Sequence, residues 1–381
     1  MDALVIGSGI SGMSMYWALR NAGMKVKIFD SSNTFESGGF ITLWPNAIKS
    51  FQKLGFGDEI INNSLSKDSS MILNHRGKKI TQVPIYKIRE ATGIPVLSIS
   101  RGVLYDILGL QIPSEDYFTK KTCCHYECTG DDTIMHFEDG SSYVTDLVVA
   151  ADGINSVIRE QMFGKQPLRY AGRFSWNGVY KGNDFELEKS RVYEIQGRGK
   201  RIGFTALPNG EIGWYANINL PESFVIPKDN KSFLKEEFKG WPLESEKLFE
   251  GTEDRYIKVF KIQDREPIKS WRSCKIILAG DAAHPMTPDA GQGACQSVED
   301  AAILGILLKR SPSIEIALHE YEKMRIPRVN HLINYSRKIG GFSNWKSPLM
   351  VKLRELMFKV MPGDQLVAPF IKIVNINFPG E

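Results

Sequence analysis

The chain has 381 residues, is 42% apolar and 24% charged, and carries a formal net charge of +4, an ordinary profile for an enzyme-sized globular protein with room for one large or two modest domains. Its mild basic excess is scattered among nearly as many acids, which excludes a nucleic-acid footprint. No run approaches the roughly 18 apolar residues of an integral membrane span, and residues 1–30 lack a signal-peptide layout, so a cytoplasmic protein is expected.

Ala3-Leu4-Val5-Ile6 reads as a buried strand and runs into Gly7-Ser8-Gly9-Ile10-Ser11-Gly12. A helix is expected from there to about Asn21, with Gly23 as its stop. Lys25 to Asp30 is a second strand that ends on an acid. Strand, three glycines, helix, strand and an acid about 20 residues on make up the dinucleotide fingerprint in its full context. A pyrophosphate would sit on the helix N-terminus, over Gly7, Gly9, Ile10, Ser11 and Gly12. Asp30, with Ser31 beside it, would accept hydrogen bonds from the adenosine ribose. The fingerprint alone does not separate FAD from NAD.

Ser37-Gly38-Gly39-Phe40-Ile41-Thr42-Leu43 places two glycines before a short extended run, and Ala47 to Leu54 is a helix closed by Gly55. Residues 64–97 alternate polar and apolar, as strands of a second layer would. Ser100-Arg101-Gly102-Val103-Leu104 opens a helix, and an arginine there is by itself only a solvated charge. Cys123, Cys124, His125 and Cys128 raise a metal reading. No second ligand pair stands at zinc-site spacing, and the segment alternates as a strand before the Asp131-Asp132 turn, so no metal is expected. Five cysteines in this length make no disulfide framework. Strands Ile134–Phe137 and Leu147–Ala151 lead into Asp152-Gly153-Ile154-Asn155-Ser156-Val157-Ile158-Arg159, a tight turn and a helix start.

From Tyr170 to about Lys258, two-residue alternation and the Pro208-Asn209-Gly210 turn indicate an antiparallel sheet with one wet face. A chain that leaves a nucleotide fold, builds a sheet and returns at Arg272–Leu278 should lay that sheet over the cofactor. Ile276-Ile277-Leu278-Ala279 then ends on Gly280-Asp281, and a turn-rich run carries Pro285, Pro288, Gly291 and Gly293. Ala301, Ile303, Leu304, Leu307 and Leu308 follow at the spacing of a helix that buries one face. Such strand-to-helix crevices hold ligands in open α/β sheets. Gly291 and Gly293 bare the backbone there, and the helix adds its positive end. Residues 348–374 form an apolar tail dotted with Lys and Arg. It is expected to pack on the back of the domain, with a membrane-surface or partner contact as the alternative.

Read together, these strings resemble the class A FAD-dependent monooxygenases, the aromatic-ring hydroxylase family. The resemblance rests on the N-terminal fingerprint, the Arg101-x-x-Leu104 helix start, Asp152-Gly153 through Arg159, and Gly280-Asp281-Ala282-Ala283-His284-Pro285 followed by Pro288-x-x-Gly291-Gln292-Gly293. It implies an α/β, p-hydroxybenzoate hydroxylase-like fold. A Rossmann-like FAD-binding domain with a parallel sheet takes residues 1–71, 97–167 and 266–340. An antiparallel-sheet substrate domain takes 72–96 and 168–265, and a helical tail takes 341–381. Tyr321 to Arg328 matches the family's helix-to-helix junction. The resemblance further implies that Gly39 and Thr42 lie on a strand crossing beside the flavin and that Arg101 lies against FAD. Asp152 falls by the pyrophosphate and nicotinamide nucleotide, Asp281 on the ribityl chain, and Pro288, Gly291, Gln292, Gly293 and Ala294 around the ring.

The nearer likeness is to the urate and hydroxynicotinate hydroxylase branch, through Arg169-Tyr170-Ala171-Gly172, Trp176-Asn177-Gly178 and Gly199-Lys200-Arg201. That branch lines its substrate pocket with an arginine, here Arg201, and a tyrosine on the next strand. This chain departs at the tyrosine: alignment by the Gly210 turn leaves Gly213 or Trp214 there, with Tyr215 a register away. The implied reaction uses bound FAD, transient NAD(P)H and O₂. A flavin C4a-hydroperoxide inserts one oxygen atom into a small aromatic, heteroaromatic or polyketide-like substrate. Backbone N–H groups at Gly291–Ala294 would stabilise charge on the reduced ring, Pro288 would keep the pocket dry, and Tyr215 is the nearest general base. The chain lacks the flavin-halogenase string and a second GxGxxG. A flavin-binding sequestration protein without turnover stays open, as does an epoxidase or drug-inactivating oxygenase. A monomer or homodimer that binds a small-molecule substrate, with no nucleic acid and no integral membrane span, is expected.

Overall fold

The computed structural model describes residues 1–33, 38–129, 132–182, 185–243 and 245–381; Ser37 and Asp131 lie outside that set. The apolar strand Asp2–Ile6 sits inside a six-stranded sheet, with Lys25–Phe29 on one side and Leu147–Ala150 on the other, both parallel to it. Ile276–Leu278 extends the parallel set, and Arg272–Ser273 closes that edge antiparallel. Leu147–Ala150 and Ile276–Leu278 are buried at every residue, the pattern of strands covered by helices on both faces. The helices Ile10–Asn21 and Gly293–Arg310 supply part of that cover. Sequence alternation predicts one buried face for the second of these. Its polar Gln296, Glu299 and Asp300 are fully buried as well, because charged partners meet them inside the fold.

A seven-stranded sheet runs in the order Lys258–Asp264, Arg169–Tyr180, Ile212–Ile218, Lys200–Ala206, Arg191–Gln196, Ser69–Asn74, Lys79–Val83. It is antiparallel except where Ser69–Asn74 joins Arg191–Gln196 in parallel. One face buries Phe174, Trp176, Ile202, Phe204 and Trp214 under the helices Asn230–Glu237 and Ser245–Glu250. The other face, expected to be wet, instead buries Arg173, Ser175, Arg201 and Asn217. The alternation is as read, but the polar side is roofed by the loop and helix that follow Gly280. Phe40–Leu43, Val96–Ser100 and Leu65–Lys67 form a small sheet, and Cys123–Thr129, Asp132–Phe137 and Ser142–Thr145 form another.

Four sequence expectations change. Residues 64–97 hold a helix, Tyr86–Thr92, as well as strands. The junction expected at Tyr321–Arg328 is part of one continuous helix, Ile314–Ser343, with Pro327 inside it. An interior proline removes a hydrogen bond and clashes with the preceding turn, yet here the buried ion pairs of Arg325 and Arg328 hold both sides in line. Cys128 and Cys274 are joined as a disulfide across 146 residues, where none was expected. The tail forms helices Pro348–Val360 and Gly363–Val374 that pack on the side carrying the second sheet: Phe370 stacks on Trp44 at 4.8 Å, and buried Arg354 donates to the carbonyls of Ser343 and Gly197. Among the described residues, no helix is long and apolar enough to cross a membrane.

Candidate active site

The first strand-to-helix turn is built by its glycines. Gly7 has φ of +97°, and a Cβ there would stand 2.4 Å from the carbonyl oxygen of Ala151. A Cβ on Gly12 would fall 1.8 Å from the oxygen of Gly7, so the helix seats directly on the loop. At Gly9, the N-cap, nothing lies within 4 Å, and no side chain caps the Ile10 and Ser11 end of the helix. That is an open, electropositive N-terminus suited to a phosphate. Asp30 braces the same loop: Oδ2 accepts from Ser8 N at 2.6 Å and Ser8 Oγ at 2.8 Å, and Oδ1 from Ser32 N at 2.7 Å. A carboxylate offers about four acceptor positions, which leaves capacity for a ribose hydroxyl, with Ser31 exposed alongside. Asp30→Ala is therefore expected to lose FAD on gel filtration while circular dichroism stays unchanged; full occupancy in that variant would remove Asp30 from the site.

Asp152 follows the neighbouring strand. Its Oδ2 accepts from Val157 N at 3.1 Å, its Oδ1 is buried without a partner among the described residues, and burial raises its pKa. The Gly280–Ala282 turn abuts the first loop, since a Cβ at Gly280 would come 2.5 Å from Ser11 Oγ, a second buried orphan. Asp281 is exposed on the groove. The protein mass around it pushes its carboxyl up, and His284 and Arg101 draw it back down. Arg101 opens the helix Arg101–Gly109 under the Ser100 cap, and its N–H donates to Gly39 O at 3.1 Å. Thr42, on the crossing strand, offers its carbonyl to Cys295 Sγ at 3.6 Å.

The loop after Gly280 supplies the rest. Pro288 and Gly291 are exposed on the groove, and Gly293 and Ala294 are half-buried. A Cβ on Gly293 would meet nothing nearer than Met286 Cγ at 4.0 Å, so a flat ring has room against the backbone. A Cβ on Gly291 would stand 3.1 Å from Trp44 Nε1, a buried indole donor without a partner among the described residues. Gln292 spends its side-chain oxygen on Asn46 and Gln296, at 3.1 and 3.0 Å, which leaves its backbone for a ligand. A bare helix end, a groove carboxylate and orphans at Ser11, Asp152 and Trp44 match the pyrophosphate, hydroxyl chain and ring of FAD.

Arg201 and Tyr215 face this loop from the second sheet. The register sets Arg201 opposite Asn217 and Tyr215 opposite Gly203, where a Cβ would stand 2.4 Å from the tyrosine ring. Arg201 Nη2 bonds Asp289 Oδ1 at 2.5 Å, and Arg173 Nη2 bonds Asp289 Oδ2. One carboxylate on the cofactor loop thereby fastens two arginines of the sheet. Gly340 makes the crossing possible, because a Cβ there would come 2.4 Å from Asp289 Oδ2. Arg201 also lies 3.7 Å from Glu194 Oε1 and 5.6 Å from the Tyr215 ring centroid. Tyr215 Oη donates to Glu194 Oε2 at 2.6 Å. Burial, and then the Glu194 charge, push the phenol well above its ordinary pKa. That direction works against Tyr215 as a general base.

Sequence reasoning missed Asp289, Glu194, Arg173 and Arg354 as pocket residues, and Ser8 as the partner of Asp30. It also missed the ionic cluster beneath the loop. Glu299 binds Arg325, Arg328 Nε at 2.5 Å and Asn46 Nδ2 at 3.0 Å. Asp300 takes Arg325 Nε at 2.7 Å, Gly280 N at 3.1 Å and His284 Nε2 at 2.6 Å. Burial alone would raise both carboxyls; the cations outweigh it and hold both low, Asp300 at about 2. The available signal was an acid pair inside an otherwise apolar helix, since unpaired acids are almost never fully buried.

Comparison with known proteins fits this geometry. Residues 1–336 match the FAD_binding_3 family, described as an FAD binding domain. Aurachin C monooxygenase/isomerase of Stigmatella aurantiaca is 32% identical over 369 residues, 97% of this chain and 96% of that one. The FAD-dependent urate hydroxylase of Klebsiella oxytoca is 32% identical over 376 residues, 96% and 97% of the two chains. The crystal structure of Klebsiella pneumoniae HpxO complexed with FAD and uric acid matches with a TM-score of 0.92 at 28% identity, covering 98% of this chain and 96% of that one.

Proposed function

The chain belongs to the FAD binding domain family and is an FAD-dependent monooxygenase of small aromatic or heteroaromatic substrates, and from that premise we propose that it hydroxylates a ring that reacts as an oxyanion. The carrying observation is the charge on the sheet face. Arg173 and Arg201 meet the carboxylates of Asp289 and Glu194, while Arg354, buried beside them, bonds only carbonyl groups among the described residues. Glu355 adds a third carboxylate near Arg354, so what this face offers is a concentration of buried guanidinium N–H donors, and a phenolate, enolate or heteroaromatic anion would accept from them. Arg201 would hold that oxygen, and deprotonation makes the ring carbon electron-rich.

In this reading the fingerprint loop and Asp30 hold the adenosine half of FAD, Asp281 the ribityl chain, and the backbone of Gly291–Ala294 the ring. Bound FAD supplies hydride acceptance and oxygen activation. Backbone N–H groups at the start of the helix would stabilise negative charge on the ring. Pro288 presents no donor to the reacting oxygen. Tyr215, as a fixed donor to Glu194, orients the acid that pairs with Arg201. NAD(P)H and O₂ are the co-substrates, with the nicotinamide visiting only briefly because the chain carries a single dinucleotide fingerprint.

Anaerobic mixing of the FAD-loaded protein with NADH or NADPH tests this, using a panel of phenols and N-heterocycles. Flavin reduction is expected to be slow alone and much faster with the true substrate. Reduction that is fast and indifferent to every ligand would contradict substrate gating. Absence of reduction by either nucleotide, whatever is added, would favour a sequestration protein.

A further inference from the structure

We propose that the outer face of the small sheet Cys123–Thr129, Asp132–Phe137 and Ser142–Thr145 is a zinc-binding site formed by His125, Glu127 and His136. Neighbouring strands run antiparallel there, and the register sets His125 opposite His136 and Glu127 opposite Ile134. Alternation along a strand puts residues two apart on one face, so the three ligands share the solvent side while Tyr126 and Met135 are buried on the other.

The geometry is close to what zinc requires. The imidazole rings stack at 4.3 Å with planes 9° apart. Glu127 Oε1 lies 3.8 Å from His125 Nε2 and 3.5 Å from His136 Nε2, and the three ligand atoms all fall within 4.8 Å of one another. Tetrahedral ligands about 2.0–2.1 Å from zinc stand about 3.4 Å apart, near the two Glu127 separations, and the near-parallel rings must turn toward each other for both Nε2 lone pairs to meet one ion.

The surroundings set the tautomer. Cys124 Sγ lies 3.4 Å from His125 Nδ1 and donates to His136 O at 3.3 Å. With its own proton on that carbonyl, the thiol accepts from Nδ1–H, and Nε2 carries the free lone pair toward Glu127. His136 Nε2 is buried without a hydrogen-bond partner among the described residues. An unpartnered imidazole nitrogen, a second imidazole and a carboxylate oxygen converging on one point form a donor set that a cation would satisfy. A ligating histidine fixed by a second contact on its other nitrogen is the usual arrangement at metal sites. The sequence reading set metal aside because it sought the ligands among the cysteines. Cys128 is spent in the disulfide, and the second histidine comes from the next strand. A cation here would cross-link two neighbouring strands.

The test is titration of tag-free, FAD-loaded protein with zinc chloride in competition with a chromophoric chelator. One saturable zinc per chain is expected, with a higher thermal midpoint by linkage. His125→Ala and His136→Ala should each weaken binding by more than the roughly 10–100-fold that loss of an outer-shell partner costs. Glu127→Gln should weaken it as well, while His331→Ala leaves it unchanged. All variants should keep their flavin, which reports an intact fold. Absence of saturable zinc, or affinity in the two histidine variants unchanged from the parent protein, would overturn the site.

Discussion

Asp289→Ala is expected to leave the protein yellow but unable to quicken flavin reduction when substrate is added. The carboxylate is fully buried between Arg173 and Arg201, which are themselves 4% and 5% exposed. Removing one partner of a buried ionic set costs about 3–5 kcal/mol, because the charges left behind lose their compensation. The larger effect is on geometry. Asp289 is next to Pro288 on the cofactor loop, so its loss uncouples that loop from the sheet face that would hold the substrate. Misplacement of a positioned group by about 1 Å costs on the order of 100-fold in rate, and a loss of that size is expected here. Asp289→Asn keeps an acceptor oxygen for one of the two arginines and should retain more activity than Asp289→Ala. The checks are the reduction rate with and without substrate and the thermal midpoint. Unchanged kinetics in Asp289→Ala would show that the bridge does not organise the pocket.

Arg325→Leu should be the most destabilising single change. Arg325 is fully buried and pairs with both Glu299 and Asp300. Its removal takes the shared cation from two buried carboxylates, leaving Glu299 to Arg328 and Asp300 to His284, at a cost again of about 3–5 kcal/mol. Asp300 also receives the N–H of Gly280, so the turn that carries Asp281 should loosen and FAD with it. The acid response follows from the sign of the shift. Asp300 is held at about 2, below its ordinary 3.8, so its contribution is present above 3.8 and is lost as pH falls from 3.8 toward about 2. Without Arg325 that reserve shrinks, and acid unfolding should begin at higher pH. Urea midpoints measured across this window check the claim. Pairing the change with Glu299→Leu should restore part of the loss, since a buried ion pair can be replaced by apolar residues.

What the sequence reveals and what it hides divide on physical grounds. Gly7, Gly9 and Gly12 are legible because the turn requires bare backbone at fixed spacing, and the structure uses each for a different reason. Asp30 and Asp281 stand out in the sequence because each follows an apolar strand, Asp30 directly after Phe29 and Asp281 on the turn Gly280–Ala282 beyond Leu278. Asp289 is not, because its partners Arg201 and Arg173 lie 88 and 116 residues away and no local pattern links them. The wet face predicted for the second sheet is correctly alternating and wrongly placed in water. Alternation reports which side is polar, not what later covers it. Pro327 misleads for the opposite reason: local chemistry says stop, and buried ion pairs to its flanking arginines override it. The Cys128–Cys274 link joins segments of two different sheets and the His125–His136 pairing depends on a strand neighbour, and spacing encodes neither.

The account stands most directly on where the inserted oxygen comes from. The enzyme, loaded with FAD and given NAD(P)H and the ring substrate that accelerates flavin reduction, is run under isotopically heavy dioxygen in ordinary water, and the product is weighed by mass spectrometry. The prediction is one heavy oxygen atom per product molecule, and none when the label is in the water instead. Product labelled from water, or NAD(P)H consumed entirely into hydrogen peroxide with every substrate tested, would contradict it.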